Sequence, residues 1–300
     1  MGSMSTQFLK NKVVFIMGAT GTGKSRLSID LATNFPAEII NSDKIQMYRG
    51  LDIVTNKITN LERQRVPHHL LGEFDPDSDF TARDFCYHAL EAIEKIIRSG
   101  RIPIIVGGSN SFIEALVEDP DFKFKSQYDC CFIWLDVSLP VLHSFVSKRV
   151  DQMVDAGIVD EVRKLFIPGA DYTRGIRRAI GVPEMDKYFR LKPEIDNETK
   201  EMLLGVVIEE IKVNTRILVH TQLTKIRRFR DELGWPLYRI DATCVFEKGG
   251  DEANHAWEEF VAKPSLAVVN EFLEEKKNGV VAAKTISSAF VNQHLEGLKV

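Results

Sequence analysis

A chain of 300 residues with 44% hydrophobic and 27% charged residues, and 39 Lys and Arg against 43 Asp and Glu for a net charge of −4, has an ordinary globular composition. These values exclude disordered, collagenous and disulfide-scaffold classes, and the slight acidity supplies no global field that would draw in nucleic acid. No apolar run approaches the roughly 18 residues of a membrane span, and Cys86, Cys130, Cys131 and Cys244 form no CxxC, so neither a zinc clip nor a disulfide ladder is expected.

The start, Met1 to Met4, reads as a vector-derived remnant before a second initiator. With no targeting signal visible, a reducing cytoplasmic setting is the expectation, and a plastid setting if a transit segment was removed. The first half then alternates short apolar runs with helix-period segments, the pattern of βα units on a parallel sheet. Val13 to Met17 reads as a buried strand, and Lys24 to Phe35 as a helix with Leu27, Leu31 and Phe35 four apart. Glu38 to Asn41 is a second strand, ending at Ser42 and Asp43. Thr81 caps a helix that runs to Ser99 and stops at Gly100. Ile102 to Val106 is a third strand ending in Gly107 and Gly108, and Cys131 to Leu135 a fourth ending at Asp136.

From about Leu139 helical periods take over, in Val141 to Ala156, Val159 to Phe166 and Lys200 to Arg230. A short strand follows at Leu237 to Ile240, then a helix at Ser265 to Lys277 and a frayed tail. The expected architecture is α/β: a P-loop NTPase-like parallel sheet core flanked by helices, formed by residues 10–140 and 205–300, with a smaller helical substrate or lid domain at 141–204.

Gly18, Ala19, Thr20, Gly21, Thr22, Gly23, Lys24 and Ser25 satisfy GxxxxGKS, directly after a strand and before a helix. Glycines there let successive backbone N–H groups turn toward phosphate oxygens, the helix N-terminus adds a favourable dipole, Lys24 supplies a cation, and the Ser25 hydroxyl can ligate Mg²⁺. The loop by itself implies only binding of a di- or triphosphate. Asn56-Lys57 lacks the aspartate that would read guanine, which disfavours a switch GTPase, and no repeat or second nucleotide motif suggests a motor. Asp136 is open to two readings, a Walker B acid or a strand-end cap. Asp43, at the end of its strand, should face the crevice that the phosphate loop lines.

The blocks NSDKIQMYRGLDIVTNK at 41–57, PHHLL at 67–71, IVGGSNSFIEALV at 105–117 and GIRRAIGVPE at 175–184, together with the phosphate loop, resemble the isopentenyltransferases, the family of tRNA dimethylallyltransferases and adenylate isopentenyltransferases. Lys44-Ile45 and Ser109-Asn110 look like the plant adenylate type, and no carboxy-terminal Cys/His zinc module is present. The resemblance implies transfer of a dimethylallyl group from dimethylallyl diphosphate to N6 of the adenine of ADP, ATP or AMP, the first step of cytokinin biosynthesis. The alternatives are a tRNA dimethylallyltransferase and, more distantly, a small-molecule kinase. It also implies Asp43 as general base, Lys24 and Thr20 beside the leaving diphosphate, and Mg²⁺ as cofactor. Gly18, Gly21, Thr22, Gly23, Lys24, Ser25, Arg149 and Ser109 are the implied phosphate contacts. Ile45, with Met47 and Phe112, is a candidate for adenine or prenyl contact. The implied partners are the two small-molecule substrates, with neither membrane nor nucleic acid, acting on a monomer.

Further cations stand at Lys148 and Arg149, and at Lys212, Arg216, Lys225, Arg227, Arg228 and Arg230, a 19-residue stretch without an acid. Lys212, Arg216 and Lys225 are candidates for the acceptor nucleotide. The basic segment also admits readings as an RNA backbone patch or an exposed helix face. Asp171 to Arg178 reads as a second phosphate-facing loop or a hinge, and His68-His69 as structural.

Overall fold

A computed structural model describes residues 10–191 and 194–274; the amino-terminal remnant and the frayed tail lie outside these residues. Six strands form one parallel sheet: β1 (Asn11–Met17), β2 (Ala37–Asn41), β3 (His68–His69), β4 (Ile102–Val106), β5 (Tyr128–Asp136) and β6 (Leu237–Asp241), in the order β3-β2-β4-β1-β5-β6. The central β1 is fully buried from Val13 to Met17 because helices cover both faces of the sheet, which is why its sequence is continuously apolar rather than alternating. Parallel strands bring the carboxyl ends of β1, β2 and β4 to one edge, so the phosphate loop, Ser42-Asp43 and Gly107-Gly108 line one crevice.

The helices are α1 (Lys24–Asn34), α2 (Ala82–Arg98), α3 (Asn110–Glu118), α4 (Phe124–Gln127), α5 (Leu139–Asp155), α6 (Ile158–Arg163), α7 (Val182–Phe189), α8 (Asn197–Asp231), α9 (Thr243–Phe246) and α10 (Gly250–Trp257). Thr81 caps α2 as the sequence indicates: its hydroxyl accepts from Asp84 N–H while the Asp84 carboxylate accepts from Thr81 N–H, closing a capping box. After α10 a π-turn at Glu258–Ala262 leads into helix over 263–274, so the last three residues of the expected final helix lie outside the described part.

Several elements differ from the sequence reading. β5 has nine residues rather than five, because Tyr128 to Cys130 pair with Asn11 to Val13 before the apolar run begins. β3 is only two residues long and carries no periodicity to detect; it forms because Ile39 and Ile40 of β2 offer a free edge. α8 is 35 residues long and roughly 50 Å from end to end, beginning at Asn197 and ending at Asp231 rather than at Lys200 and Arg230. It packs on α5 and α7 and ends near the sheet, where Phe229 stacks on Trp235 at 4.4 Å and Trp235 on Phe132 of β5 at 4.6 Å. Its buried stripe, Val207, Ile211, Thr215, Val219, Gln222 and Ile226, keeps three- and four-residue steps throughout. Asp136 takes the structural reading: its carboxylate accepts from Arg239 Nε of β6 at 2.8 Å and its backbone C=O from Ala242 N–H.

Candidate active site

The phosphate loop owes its shape to two glycines with positive φ and to the helix that follows. Gly23 caps α1 at φ 92°, in the left-handed region, and a Cβ there would lie 2.7 Å from the Trp257 ring. Trp257 is held in turn by its indole N–H donating to Asp30 at 2.6 Å and by the Arg26 guanidinium 4.5 Å above its ring. A carboxy-terminal helix thus braces the loop from outside. Thr20, Gly21, Gly23, Lys24 and Ser25 line a cleft of about 350 Å³. Gly18 and Thr22 do not: Gly18 lies against the Leu135 carbonyl, and the buried Thr22 hydroxyl donates to Ala19 C=O at 3.0 Å, so both shape the loop from behind.

Lys24 donates to the Ala19 carbonyl at 2.7 Å from the floor of the cleft. Burial pushes its pKa down to about 8, against the pull of the Asp43 carboxylate and with a push from Arg149. Arg149, from the middle of α5, donates to Thr20 Oγ1 at 2.8 Å; burial lowers it to about 10, opposed by Asp43, so it stays charged at neutral pH.

Asp43 follows β2 in a turn that its own side chain builds. Its Oδ1 accepts from Ile45 N–H at 3.0 Å, and its backbone N–H and C=O both pair with the Asn41 side chain. A Cβ on Gly107 would come within 2.6 Å of Asp43 N, so glycine is what permits the β4 loop to pass under the aspartate. Ser109 Oγ accepts from Lys44 N–H at 2.8 Å. That bond joins the loops after β2 and β4 and leaves Ser109 outside the phosphate cleft, contrary to the contact expected of it.

Two further chambers meet the cleft at Asp43. One, of about 220 Å³, is predominantly aliphatic, with Ile45, Val54, Val150, Met153, Ile180 and Ile211 in its walls; it shares Thr20, Asp43 and Arg149 with the cleft. The other, of about 290 Å³, runs past Ser109 and Asn110 at the start of α3 to Lys44 and Lys225. Asp43 is the carboxylate common to all three. The phosphate-loop cleft, an apolar volume and a channel leading to two lysines therefore converge on one potential base.

A sequence-family profile described as IPP transferase matches residues 46–127 and 119–229. Adenylate isopentenyltransferase 5, chloroplastic, of Arabidopsis thaliana is 59% identical over 88% of this chain and 81% of its own length. Adenylate isopentenyltransferase 3, chloroplastic, of the same organism is 54% identical over 95% of this chain and 87% of its own. The chain belongs to the IPP transferase family. The crystal structure of the full-length tRNA isopentenylpyrophosphate transferase from Bacillus halodurans matches this isopentenyltransferase with a TM-score of 0.70 at 26% identity, covering 89% of this chain and all of that one. Membership makes the chain a prenyltransferase and removes the kinase alternative.

In this isopentenyltransferase the cations of α8 do not act as a group. Lys212 pairs with Asp151 at 2.7 Å and Glu209 at 2.8 Å, and Arg216 donates to Ser147 Oγ at 2.9 Å. With the His143 and His220 rings 4.9 Å apart, these contacts step along α5 and α8 in opposite directions, so the row that periodicity aligns is an antiparallel helix seam. Neither Lys212 nor Arg216 lines the three chambers, whereas Lys225 does, 3.8 Å from Glu114. Arg228 pairs with Glu114 and Arg230 with Asp231 at 2.7 Å.

The expected prenyl or adenine contacts divide in the same way. Ile45 lines two chambers, but Met47 is wholly buried and Phe112 stacks on Phe85 at 5.0 Å, which makes both core residues. In the 171–178 loop Arg177 pairs with Asp77, and Arg178 reaches the Tyr48 hydroxyl at 3.3 Å beside the aliphatic chamber, so the loop is tied down away from the phosphate cleft. His69 pairs with Glu38 at 2.6 Å, the structural reading, while His68 lines the cleft with its Nδ1 2.8 Å from Val66 C=O. Burial lowers His68 below the ordinary imidazole range.

Sequence reasoning missed Gln222. Its side chain bridges Thr20 N–H and Gly108 C=O at 2.7 and 2.9 Å. The available signal was a polar residue in the apolar stripe of a long helix, where a buried amide must find partners.

Proposed function

We propose that the protein transfers a dimethylallyl group from dimethylallyl diphosphate to the N6 amine of a free adenine nucleotide. The observation that carries this reading is the position of Asp43 where the phosphate cleft, the aliphatic chamber and the channel leading to Lys44 and Lys225 meet. The donor's diphosphate lies on the loop N–H groups with Lys24 and Arg149, and its prenyl tail enters the aliphatic chamber, whose apolar walls it would cover. The adenine approaches through the channel past Ser109 and Asn110, with its phosphates toward Lys44 and Lys225. The amine nitrogen bonds to C1 of the donor as the C1–O bond breaks, diphosphate departs with the bonding electrons, and the amine proton passes to the Asp43 carboxylate. Because the adenine lone pair is delocalised into the ring, a base within about 3 Å of the amine has a direct effect on rate.

Mg²⁺ fits the cleft, because the exposed Ser25 hydroxyl offers one oxygen and the donor diphosphate supplies others. Among the described residues no cluster of three acidic, His or Cys side chains could hold the ion without that substrate. When bound, the ion would neutralise charge on the leaving diphosphate.

A tRNA acceptor is the second reading, favoured by the match to the Bacillus halodurans enzyme. The internal pairing of Lys212, Arg228 and Arg230 weighs against it, since a tRNA surface needs cations free to meet phosphates. The deciding assay offers dimethylallyl diphosphate and Mg²⁺ with AMP, ADP, ATP or unmodified tRNA in parallel. Prenylated free nucleotide is expected, with a fall of about 10²–10⁴-fold in Asp43→Asn; prenylated tRNA alone would replace this reading with the second.

No described helix is long and apolar enough to cross a membrane. A monomer suffices on this reading, since one chain lines all three chambers; analytical ultracentrifugation tests it. An organellar compartment is the favoured one, because relatives are named chloroplastic or mitochondrial, and import assays with isolated chloroplasts and mitochondria distinguish the two.

A further inference from the structure

Three loops must hold their spacing for the reaction above: the phosphate loop after β1, the Asp43 loop after β2 and the Gly107-Gly108 loop after β4. Backbone hydrogen bonds tie the last two together, through Ser42 N–H to Val106 C=O at 2.8 Å and Ser109 N–H to Ser42 C=O at 3.2 Å. The phosphate loop is joined to this pair by one side chain from a distant part of the sequence. Gln222, only 7% exposed in the middle of α8, accepts from Thr20 N–H at 2.7 Å through Oε1 and donates to Gly108 C=O at 2.9 Å through Nε2. Its own backbone carbonyl accepts from the Asn110 side chain at 3.0 Å, which fixes α8 against the start of α3. A Cβ on Gly108 would fall 2.4 Å from Nε2, so the glycine leaves room for this contact.

We propose that Gln222 is a positioning residue that sets the separation between the leaving-group cradle and the Asp43 base. The inference rests on the reaction proposed above. Thr20 is the junction: Gln222 holds its backbone while Arg149 donates to its hydroxyl, so a loop residue that lines two chambers together with Asp43 is fixed from two sides. Its N–H is committed to Gln222, and the donors left for diphosphate begin at Gly21. The bridge needs an acceptor and a donor on one planar group of this length. A carboxamide supplies both, an ionised carboxylate supplies only acceptors, and an aliphatic or thioether chain supplies neither useful partner.

The difference between these groups provides the test. Gln222→Met keeps the volume and removes the bridge. It is expected to lower kcat by about 10–10²-fold, the scale of a sub-ångström to 1 Å misplacement, with the KM of both substrates little changed and the melting temperature near that of the wild type. Gln222→Glu retains the acceptor but loses the donor while ionised. The charged groups facing this position are Asp43 from the β2 loop with Lys44 beside it, Lys24 from α1, Arg149 from α5 and Lys225 from α8 itself. Measured as a ratio to wild type at each pH, its kcat is expected to rise as pH falls and the introduced carboxyl gains a proton that can be donated to Gly108.

A pH-independent ratio for Gln222→Glu, or a kcat loss that only tracks a fall in melting temperature, would overturn the proposal, as would wild-type kcat in Gln222→Met. If Gln222→Met does not fold, the near-isosteric Gln222→Glu decides alone. A wild type that makes no prenylated nucleotide would instead defeat the reaction proposed above. Active wild type with unaffected variants would defeat the positioning role only.

Discussion

The phosphate loop and the basic row of α8 present similar chemistry in sequence, a cluster of groups suited to phosphate, yet the fold treats them in opposite ways. In the loop the functional groups are mostly backbone N–H groups whose direction is set by positive-φ glycines, the end of β1 and the start of α1, all of them local. In α8 the groups are side-chain cations whose direction depends on what packs beside them. Asp151 and Ser147 of α5 hold Lys212 and Arg216 at the helix seam, Glu114 of α3 holds Arg228, and only Lys225 reaches a chamber of the site. A motif defined by backbone geometry carries its own orientation; a charge cluster receives its orientation from neighbours that spacing does not reveal.

The largest effect that would test this contrast comes from Gly23→Ala. The added methyl meets the Trp257 ring at 2.7 Å and the residue must keep φ at 92°, so donor binding measured calorimetrically is expected to be abolished or nearly so. Retained affinity would show that the loop does not depend on its local geometry. The next effect concerns pH. In the proposed reaction Lys24 binds diphosphate as the cation; burial brings its pKa down to about 8 in the free protein, so kcat/KM for the prenyl donor should fall by about tenfold per unit above that pH. Stability of the free protein should move the other way. The penalty for a buried charge is fully present below pH 8 and is relieved between 8 and the ordinary 10.5, so thermal denaturation with and without donor should give opposite trends across that window.

A smaller, paired effect separates the members of the α8 row. Lys225→Ala is expected to raise KM for the nucleotide acceptor several-fold, while Lys212→Ala, whose ammonium is occupied by Asp151 and Glu209, should leave that KM unchanged. Steady-state kinetics at two salt concentrations measures both, and equal effects would restore the basic row as a single clamp. The smallest effect lies outside both regions. Thr81→Ala removes the capping box of α2 and should lower stability by about 1 kcal/mol in urea denaturation without altering kinetics.

The central strands, α1, α2 and the phosphate loop were legible because each is specified within a few residues: Val13 to Met17 by continuous burial, α2 by Thr81 at one end and Gly100 at the other. Asp43 was legible for a related reason, since a carboxylate at the end of a parallel strand has one edge to face. β3 was not, because two residues pairing with an exposed strand edge carry no period. Phe112 and Met47 were misjudged because proximity in sequence to a site block does not say which face of α3 or which side of a turn is outward.

What the sequence determined by itself is the chemistry available: a phosphate cradle, one acid at the crevice, and a chain of the isopentenyltransferase type. The tertiary structure alone decided which of many charged and polar groups take part. Gln222 joins Thr20 across 202 residues, Arg149 reaches Thr20 across 129, and Arg239 claims Asp136 across 103. Local sequence fixes backbone conformation through sterics and hydrogen bonding over a few residues, but the direction and protonation of a buried side chain depend on desolvation and on partners brought together by packing.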